Sequence, residues 1–224
     1  VFQQVGSLSE AVQAIAVGVD ALIVQGIEAG GHIRGHQRLE ELLIDVAEPT
    51  TDVPVFAAGG IYSAEDVRRV VSLGACGVST GTRFVLADES GAHAAYKARL
   101  IQASETVVTT LFGLGWATPH RVAVNAATKR WCRADGSVAS WLQGFNTAFS
   151  FTRKILPLKP DPAKRQRAAI PVFSNAVVDE SLPGSLVDAA ALYAGEKIGQ
   201  LDSILTAEQI VLELAAGFSG ERSA

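Results

Sequence analysis

A glycine-rich loop that ends in a histidine is the part of this sequence best suited to chemistry. It runs from Gln25 through Gly30 and Gly31 to His32, and it follows the apolar run Ala21–Val24. Paired glycines can adopt positive φ and let the backbone approach a ligand closely. An imidazole titrates near neutral pH and can accept or donate a proton. The pattern therefore predicts an active-site loop at the end of a buried strand.

Two more glycine-rich turns predict an anion site. Gly59 and Gly60 follow the apolar run Val55–Ala58, and Gly81 with the Thr82 hydroxyl belongs to another turn. Backbone N–H groups at such turns, together with the dipole of a following helix, favour a phosphate. In an eight-stranded α/β barrel, the loops after the last two strands form the usual phosphate site. We expect these two turns to converge on one phosphate, although ordinary turns between strands and helices also contain glycine.

Repeated strand and helix patterns in the first hundred residues must position these loops. The sequence predicts strands at Val1–Val5, Ala21–Gln25, Val55–Ala58 and Cys76–Thr80, and helices at Ser9–Val17, Leu39–Val46, Ala64–Leu73 and roughly 91–103. Ser7 or Ser9 can cap the first helix, and Ser63 with Asp66 comes close to a capping box. Four consecutive βα units predict an α/β fold with parallel strands, which is half of a (β/α)8 TIM barrel.

The pattern changes after residue 104 and predicts a different organisation there. We expect a half TIM barrel with the phosphate site over residues 1–104, an irregular lid subdomain over 105–183, and a C-terminal helical segment that packs on the barrel over 184–224. Within the later ranges the sequence predicts a strand at Thr106–Leu111, an extended crossing at Lys154–Pro171, and helices at Ala189–Ala194 and Ala207–Ala216.

The composition favours an enzyme or binding protein for small molecules. The chain has 224 residues, of which 48% are hydrophobic, and a formal net charge of −4. A hydrophobic share this high is enough to form a large buried core. The negative net charge argues against a general attraction to nucleic acid or to anionic membranes. No apolar run approaches the roughly 20 residues that span a bilayer, so we expect a cytoplasmic protein. Cys76 and Cys132 lack the spacing of a metal site, so we expect no metal.

The ordered series of motifs resembles the flavin-binding barrel of nitronate monooxygenases. The matching stretches are residues 25–32, 53–61, 77–84, 92–97, 118–122 and 192–195, and they extend over nearly the whole chain. The flavin-dependent enoyl reductases of fatty-acid synthesis share much of this series. The stretch from Trp116 to Arg121 is more similar to the lid of the nitronate enzymes, which favours that family.

The resemblance implies a cofactor, a reaction and a set of site residues. The cofactor is FMN, and the reaction oxidises an alkyl nitronate with O2 to a carbonyl compound and nitrite. His32 matches the imidazole that stands over the flavin, where it serves as the base for a neutral nitroalkane or as the polar partner of a nitronate. The matching FMN contacts are Gln25 and Gly30, and the residues that match the phosphate enclosure are Gly59, Gly60, Ser79, Thr80, Gly81 and Thr82.

The sequence allows two roles for each of three other polar residues. Glu28 could pair with Arg34 or orient a neighbour. Arg83 could add charge near the phosphate or face solvent. His120 could cover the pocket or take part only in packing.

The sequence departs from the family pattern in two respects. A complete enzyme of this type begins with about four more βα units, and the Ser79-Thr80 pair differs from the residues often found at that place. We therefore expect the activity to belong to a longer parent. A half barrel on its own exposes strand edges, so we expect it to form a homo-oligomer, to aggregate or to bind FMN weakly.

Two alternatives to the nitronate enzyme stay open. The first is an FMN-dependent and NAD(P)H-dependent enoyl reductase, which would reduce FMN with nicotinamide and turn over an enoyl thioester. The second is a non-catalytic half barrel that binds a phosphate or a flavin, and for it the parent protein would show no flavin spectrum.

Overall fold

Parallel strands alternate with helices at the start of the chain, as the sequence predicted. The structure is a computed structural model that describes residues 1–47, 52–113, 118–144 and 166–219. These residues divide into two compact units. The first contains Val1–Glu89 and the described residues from Ile204 onward, and the second is Ser90–Ser203. The predicted site residues all belong to the first unit.

The first unit is built on a four-stranded parallel sheet with the order β1-β2-β4-β5. The strands of the unit are β1 (Phe2–Val5), β2 (Ala21–Gln25), the two-residue β3 (Gly31–His32), β4 (Val55–Ala58) and β5 (Gly77–Ser79). Its helices are α1 (Leu8–Ala16), α2 (Leu39–Ala47), α3 (Ala64–Ser72), the short α4 (Thr82–Val85) and the C-terminal α7 (Ala207–Ala215). The predicted α/β partial barrel is therefore confirmed, with element ends within a few residues of the prediction.

Helix caps explain where two of these helices begin. Ser7 caps α1 by accepting the Glu10 N–H. At the start of α3, the Ser63 side chain accepts the Asp66 N–H at 3.2 Å and the Asp66 carboxylate accepts the Ser63 N–H at 3.2 Å. Aspartate therefore completes the capping box that the sequence suggested only in part.

The core of the first unit lies between the sheet and its helices. Apolar side chains from β2 and β4 pack with one face each of α1, α2, α3 and α7. On α1, Ala11 and Ala14 are buried, whereas Ala16 is exposed. The fully buried members of this cluster include Leu22, Val24, Leu42, Leu43, Val46, Ala57, Val67, Val70 and Ile210.

The second unit contains an antiparallel hairpin and short helices. The strands β6 (Thr106–Thr109) and β7 (His120–Ala123) pair antiparallel. Its described residues include the α-helices α5 (Ala94–Ile101) and α6 (Ala126–Trp131), and a further helical stretch begins at residue 140. Short 3₁₀ helices form at Gly184–Asp188 and Ile198–Gln200. The predicted strand Thr106–Leu111 is thus shorter than expected, and α5 lies in this unit although the sequence placed it in the first range.

The predicted helix Ala189–Ala194 is wrong. The Leu192 carbonyl accepts the Ala123 N–H at 2.7 Å, and Tyr193 forms an antiparallel bridge with Val122. These residues are extended because their backbone groups bond to β7. Their side chains are almost all buried, and a short apolar run buried on every side has no periodicity that separates helix from strand.

Some predictions fall on residues that the structure does not describe. Trp116, most of the range Lys154–Pro171 and the last five residues lie outside the described part of the chain.

We predict that Leu43→Ala destabilises the first unit strongly. The Leu43 side chain is fully buried in the core cluster, so its truncation should lower the free energy of unfolding by about 2–5 kcal/mol. Ile44→Ala on the same helix is the matched control, because Ile44 is 59% exposed and surface changes usually stay within about 0.5 kcal/mol. Urea unfolding followed by circular dichroism measures both. Equal losses for the two variants would contradict the packing described for α2.

Candidate active site

Three strand ends lie side by side at one edge of the parallel sheet. Gln25 is the register partner of Ala58, and Ala58 is the register partner of Ser79. Neighbouring strands are about 4.8 Å apart, so the three ends span roughly 10 Å. The loops that follow them therefore start from one edge, which is where open α/β sheets bind ligands.

The loops after β2 and β4 pack against each other through glycine. The Gly26 N–H donates to the Ala58 carbonyl at 3.0 Å. Gly59 has φ +116°, and a Cβ built on it would lie 3.1 Å from the Ala29 nitrogen and 3.2 Å from the Gly26 carbonyl oxygen. Gly60 also has positive φ, at +65°. This turn therefore needs glycine for its backbone conformation and for its close approach to the neighbouring loop.

Two backbone N–H groups at this edge are available to a ligand. Within the described residues, no protein acceptor bonds to the N–H of Gly60 or Gly81. Gly60 is buried, and buried N–H groups are almost always paired. A Cβ built on Gly81 would meet nothing within 4 Å, so the space beside this residue is open. Both features fit an anion held by these two turns.

The remaining residues of the predicted phosphate enclosure differ in exposure. Ser79 is exposed, Thr80 is half-buried and Thr82 is 7% exposed. Thr82 begins α4, whose first turn is closed by the N–H groups of Phe84 and Val85 donating to the Gly81 carbonyl at 2.9 and 3.0 Å. The chain thus turns from β5 into a helix at the place where the sequence predicted the second glycine turn.

Gln25 uses both ends of its side-chain amide on the histidine loop. Its Nε2 donates to the His32 carbonyl at 3.0 Å, and its Oε1 accepts the Arg34 N–H at 2.9 Å. The side chain is 7% exposed. Contact of Gln25 with FMN stays a prediction, because these bonds show only that it holds the loop backbone on both sides of Ile33.

His32 is half-buried at the end of this loop, after Gly31, which has φ +78°. Burial lowers the pKa of His32 below its ordinary value of 6.5. The protonated form is disfavoured because the charged ring loses solvation. The imidazole is therefore neutral at pH 7 and stays neutral to lower pH than a solvated histidine, which suits a proton acceptor.

Glu28 and Arg34 do not pair with each other, so that predicted pairing is wrong. The Glu28 carboxylate is buried and accepts the Leu39 N–H at 3.0 Å, which places its charge at the first residue of α2. It also pairs with Arg38 at 3.2 Å, whereas Arg34 pairs with Glu10 at 3.0 Å. The N-terminus of a helix favours a carboxylate, so Glu28 belongs to the support of α2.

Arg83 does not face solvent. Its residue is 4% exposed, and its guanidinium lies 3.5 Å from the Glu213 carboxylate on α7. This ion pair links α4 to the C-terminal helix of the same unit.

The histidines of the second unit have structural contacts. His93 caps α5, with its Nδ1 accepting the Ala95 N–H at 3.0 Å. The fully buried His120 ring packs against Phe112 and Tyr193 at centroid distances of 5.8 and 6.0 Å. The Tyr193 hydroxyl donates to the Asn175 carbonyl at 2.9 Å. His120 is thus an integral part of the packing of this unit.

Comparison with known proteins identifies the family. A family model described as nitronate monooxygenase matches residues 1–217. The chain belongs to the nitronate monooxygenase family. It is 40% identical over 129 residues to the nitronate monooxygenase of Pseudomonas aeruginosa, a match that covers 53% of this chain and 37% of that protein.

Two further comparisons extend over nearly the whole chain. One is with the (3aS,4S,5R,7aS)-5-hydroxy-7a-methyl-1-oxo-octahydro-1H-indene-4-carboxyl-CoA dehydrogenase of Rhodococcus jostii, at 29% identity, covering 94% of this chain and 62% of that protein. The other is with the crystal structure of nitroalkane oxidase from Streptomyces ansochromogenes, with a TM-score of 0.69 and 28% identity, covering 99% of this chain and 58% of that chain. The chain thus spans less than two thirds of the length of each of these relatives.

The described residues contain neither a candidate membrane span nor a candidate metal site. In the part of the chain that the structure describes, no helix combines the length and the apolar character needed to cross a membrane. Across the same residues, no three His, Cys, Asp or Glu side chains form a group that could hold a metal ion.

We predict that Gly59→Ala destabilises the protein, whereas Gly81→Ala does not. At Gly59, the backbone has positive φ and an added Cβ would lie 3.1 Å from a backbone atom of the neighbouring loop. The substitution should therefore lower the free energy of unfolding by about 1–3 kcal/mol. At Gly81 the φ is −106° and a Cβ has open space. Thermal unfolding of the two variants without added ligand measures the difference. A Gly81→Ala variant as unstable as Gly59→Ala would show that the space beside Gly81 is not open.

Proposed function

We propose that this chain provides the FMN-binding and proton-accepting part of an enzyme that oxidises alkyl nitronates with O2 to a carbonyl compound and nitrite. Membership of the nitronate monooxygenase family supports this activity. The observation that carries it furthest is the alignment of three loops at one sheet edge, with half-buried His32 on one and two available N–H groups on the others. We propose small-molecule nitronate and O2 as the substrates, the cytoplasm as the location, and self-association as the assembly.

The residues at this edge fit the phosphate of FMN. Gly60 and Gly81 would donate their N–H groups to it, while Ser79, Thr80 and Thr82 would add hydroxyls. Backbone N–H groups at turns next to a helix are a common phosphate site. Gly59 would keep the turn in the conformation that presents the Gly60 N–H, and Gly30 and Gln25 would lie toward the rest of the flavin.

The bound flavin would accept electrons from the nitronate and pass them to O2. The chain's own residues would bind and orient the cofactor and the substrate, and would accept or donate a proton. His32, neutral at pH 7, would accept the α-proton of a neutral nitroalkane through a ring nitrogen, or donate a hydrogen bond to a nitronate oxygen. Partial burial of the ring keeps it neutral and limits competition from water.

The test of this function is nitrite release by the protein that carries this chain. Purified protein is mixed with FMN, oxygen and an alkyl nitronate or a neutral nitroalkane, with His32→Ala as the variant. Removal of a positioned base should slow turnover of the neutral nitroalkane by about 10²–10⁴-fold, and turnover of the nitronate by less, because it needs no proton removal. His36→Ala is the control, since His36 lies four residues away and is exposed.

Each negative outcome has its own meaning. Nitrite release no higher than that of free FMN would overturn the monooxygenase proposal. Nitrite release that is insensitive to His32→Ala would overturn only the role of His32.

We also predict that Gly81→Ala weakens FMN binding. The new methyl group would project into the space that we assign to the phosphate, so the dissociation constant should rise about tenfold, which corresponds to about 1.4 kcal/mol. Fluorescence quenching of FMN during titration measures the affinity. Gly91→Ala is the control, because its Cβ also meets nothing within 4 Å but it lies outside the predicted site. Equal affinity of Gly81→Ala and the unchanged protein would place the phosphate elsewhere.

A thioester oxidoreductase is the second candidate. The observation that favours it is the similarity to the indene-carboxyl-CoA dehydrogenase of Rhodococcus jostii described above, which extends over 94% of this chain. An enoyl reductase would also act on a thioester. Rapid bleaching of bound FMN by NADH or NADPH, followed by turnover of an enoyl thioester, would select this candidate over the nitronate enzyme.

A further inference from the structure

We propose that Glu10 and Arg34 form a positioning pair that holds the His32 loop in place for turnover. This inference rests on the proposed function of His32. Neither residue belongs to the predicted site, and both lie in the first unit. Glu10 is on the first turn of α1, whereas Arg34 lies two residues beyond His32.

A continuous series of hydrogen bonds connects Glu10 to the His32 backbone. Glu10 Oε2 accepts the Gly6 N–H at 2.8 Å and the Arg34 Nε–H at 3.0 Å. The Arg34 N–H donates to Gln25 Oε1 at 2.9 Å, and Gln25 Nε2 donates to the His32 carbonyl at 3.0 Å. The loop between His32 and Arg34 is therefore held by the end of β2 on one side and by α1 on the other.

The backbone geometry around this series leaves the loop little freedom. A Cβ built on Gly6 would lie 2.7 Å from the Arg34 carbonyl carbon, so the turn after β1 touches the His32 loop directly. Ile33, between His32 and Arg34, is buried at 7% exposure. The His32 carbonyl and the Arg34 N–H are both bonded and the Ile33 side chain is buried, so a shift of the Arg34 backbone would be passed directly to the backbone that carries the His32 ring.

The charges of the pair are suited to this task at neutral pH. Burial acts to raise the pKa of Glu10, but the hydrogen bonds from Gly6 and Arg34 and the Arg34 charge lower it overall. The carboxylate therefore stays ionised, and its bond to Arg34 is a charge-assisted hydrogen bond.

The exposure of the Arg34 and Glu10 side chains distinguishes a positioning role of the pair from a contribution to global stability. The Arg34 side chain is 47% exposed and the Glu10 side chain 35% exposed. Ion pairs this exposed contribute little to global stability. A displacement of about 1 Å at a reacting group can slow catalysis by as much as 10²-fold. Loss of the pair should therefore affect turnover far more than unfolding.

The experiment compares Glu10→Gln, Arg34→Gln and the double variant in the protein that carries this chain. We expect kcat for nitrite release to fall about 5- to 20-fold in each single variant, within the loss that a 1 Å displacement allows. KM and the FMN dissociation constant should change by less than about twofold, and the double variant should be no slower than the slower single variant, since the two residues act through one contact. Glu65→Gln is the matched control, because Glu65 is an exposed first-turn carboxylate on α3.

Amide hydrogen exchange provides a readout that does not depend on activity. The Arg34 N–H should exchange faster in Glu10→Gln than in the unchanged protein, while amides in β2 and β4 keep their rates. If the protein releases no nitrite, the proposed function fails, yet faster exchange confined to residues 32–35 would still show that the pair holds the loop.

Three results would overturn the positioning pair. One is an unchanged kcat together with unchanged Arg34 exchange. Another is a fall in kcat that is additive in the double variant. The third is a lower melting temperature with faster exchange throughout the unit, because that would show that Glu10 only stabilises α1.

Discussion

Parallel pairing in register aligns Gln25, Ala58 and Ser79, and the rest of the candidate site depends on this alignment. Because the three strands run in the same direction, all their loops leave from one edge of the sheet. A shift of one residue in any strand would move its loop by about 3.3 Å and turn its side chains to the opposite face. The buried core on the helix side makes such a shift costly, so packing far from the site fixes where the loops begin.

Supporting contacts around the site share one pattern, in which side chains bond to the backbone of a neighbouring loop. Gln25 bonds to the His32 loop, Glu28 to the start of α2, and Asp66 to the turn before α3. A backbone held in this way keeps its position while the side chains that face a ligand can differ.

Much of the fold could be predicted from the sequence because the first unit repeats a local pattern. Apolar runs that end in glycine predicted β2 and β4, and Ser63 predicted the start of α3, since these signals depend on a few adjacent residues. Prediction failed where distant contacts decide the conformation. The run from Ala189 to Ala194 is not helical, because Leu192 and Tyr193 bond to β7, and no local residue indicates that pairing.

The candidate site also has features that the sequence could predict and features that it could not. The place of His32 in the loop after β2 and the glycine turns after β4 and β5 could be predicted from residue type and spacing, while their roles toward a ligand stay predictions. The partners of Glu28 and Arg34 could not be predicted, because charged side chains reach several alternatives. Glu10 lies three residues after Ser7, which is the spacing of a capping box. That signal was present in the sequence, but the carboxylate bonds to Gly6 and Arg34 instead of to the Ser7 N–H.

The contact between Gly6 and Gly35 restricts how this molecule can be redesigned. The two backbones touch so closely that neither position has room for a side chain. An inserted residue between Gly31 and Gly35 would have to bulge outward or separate the two turns. The turn after β1 therefore restricts the length of the segment from Gly31 to Gly35.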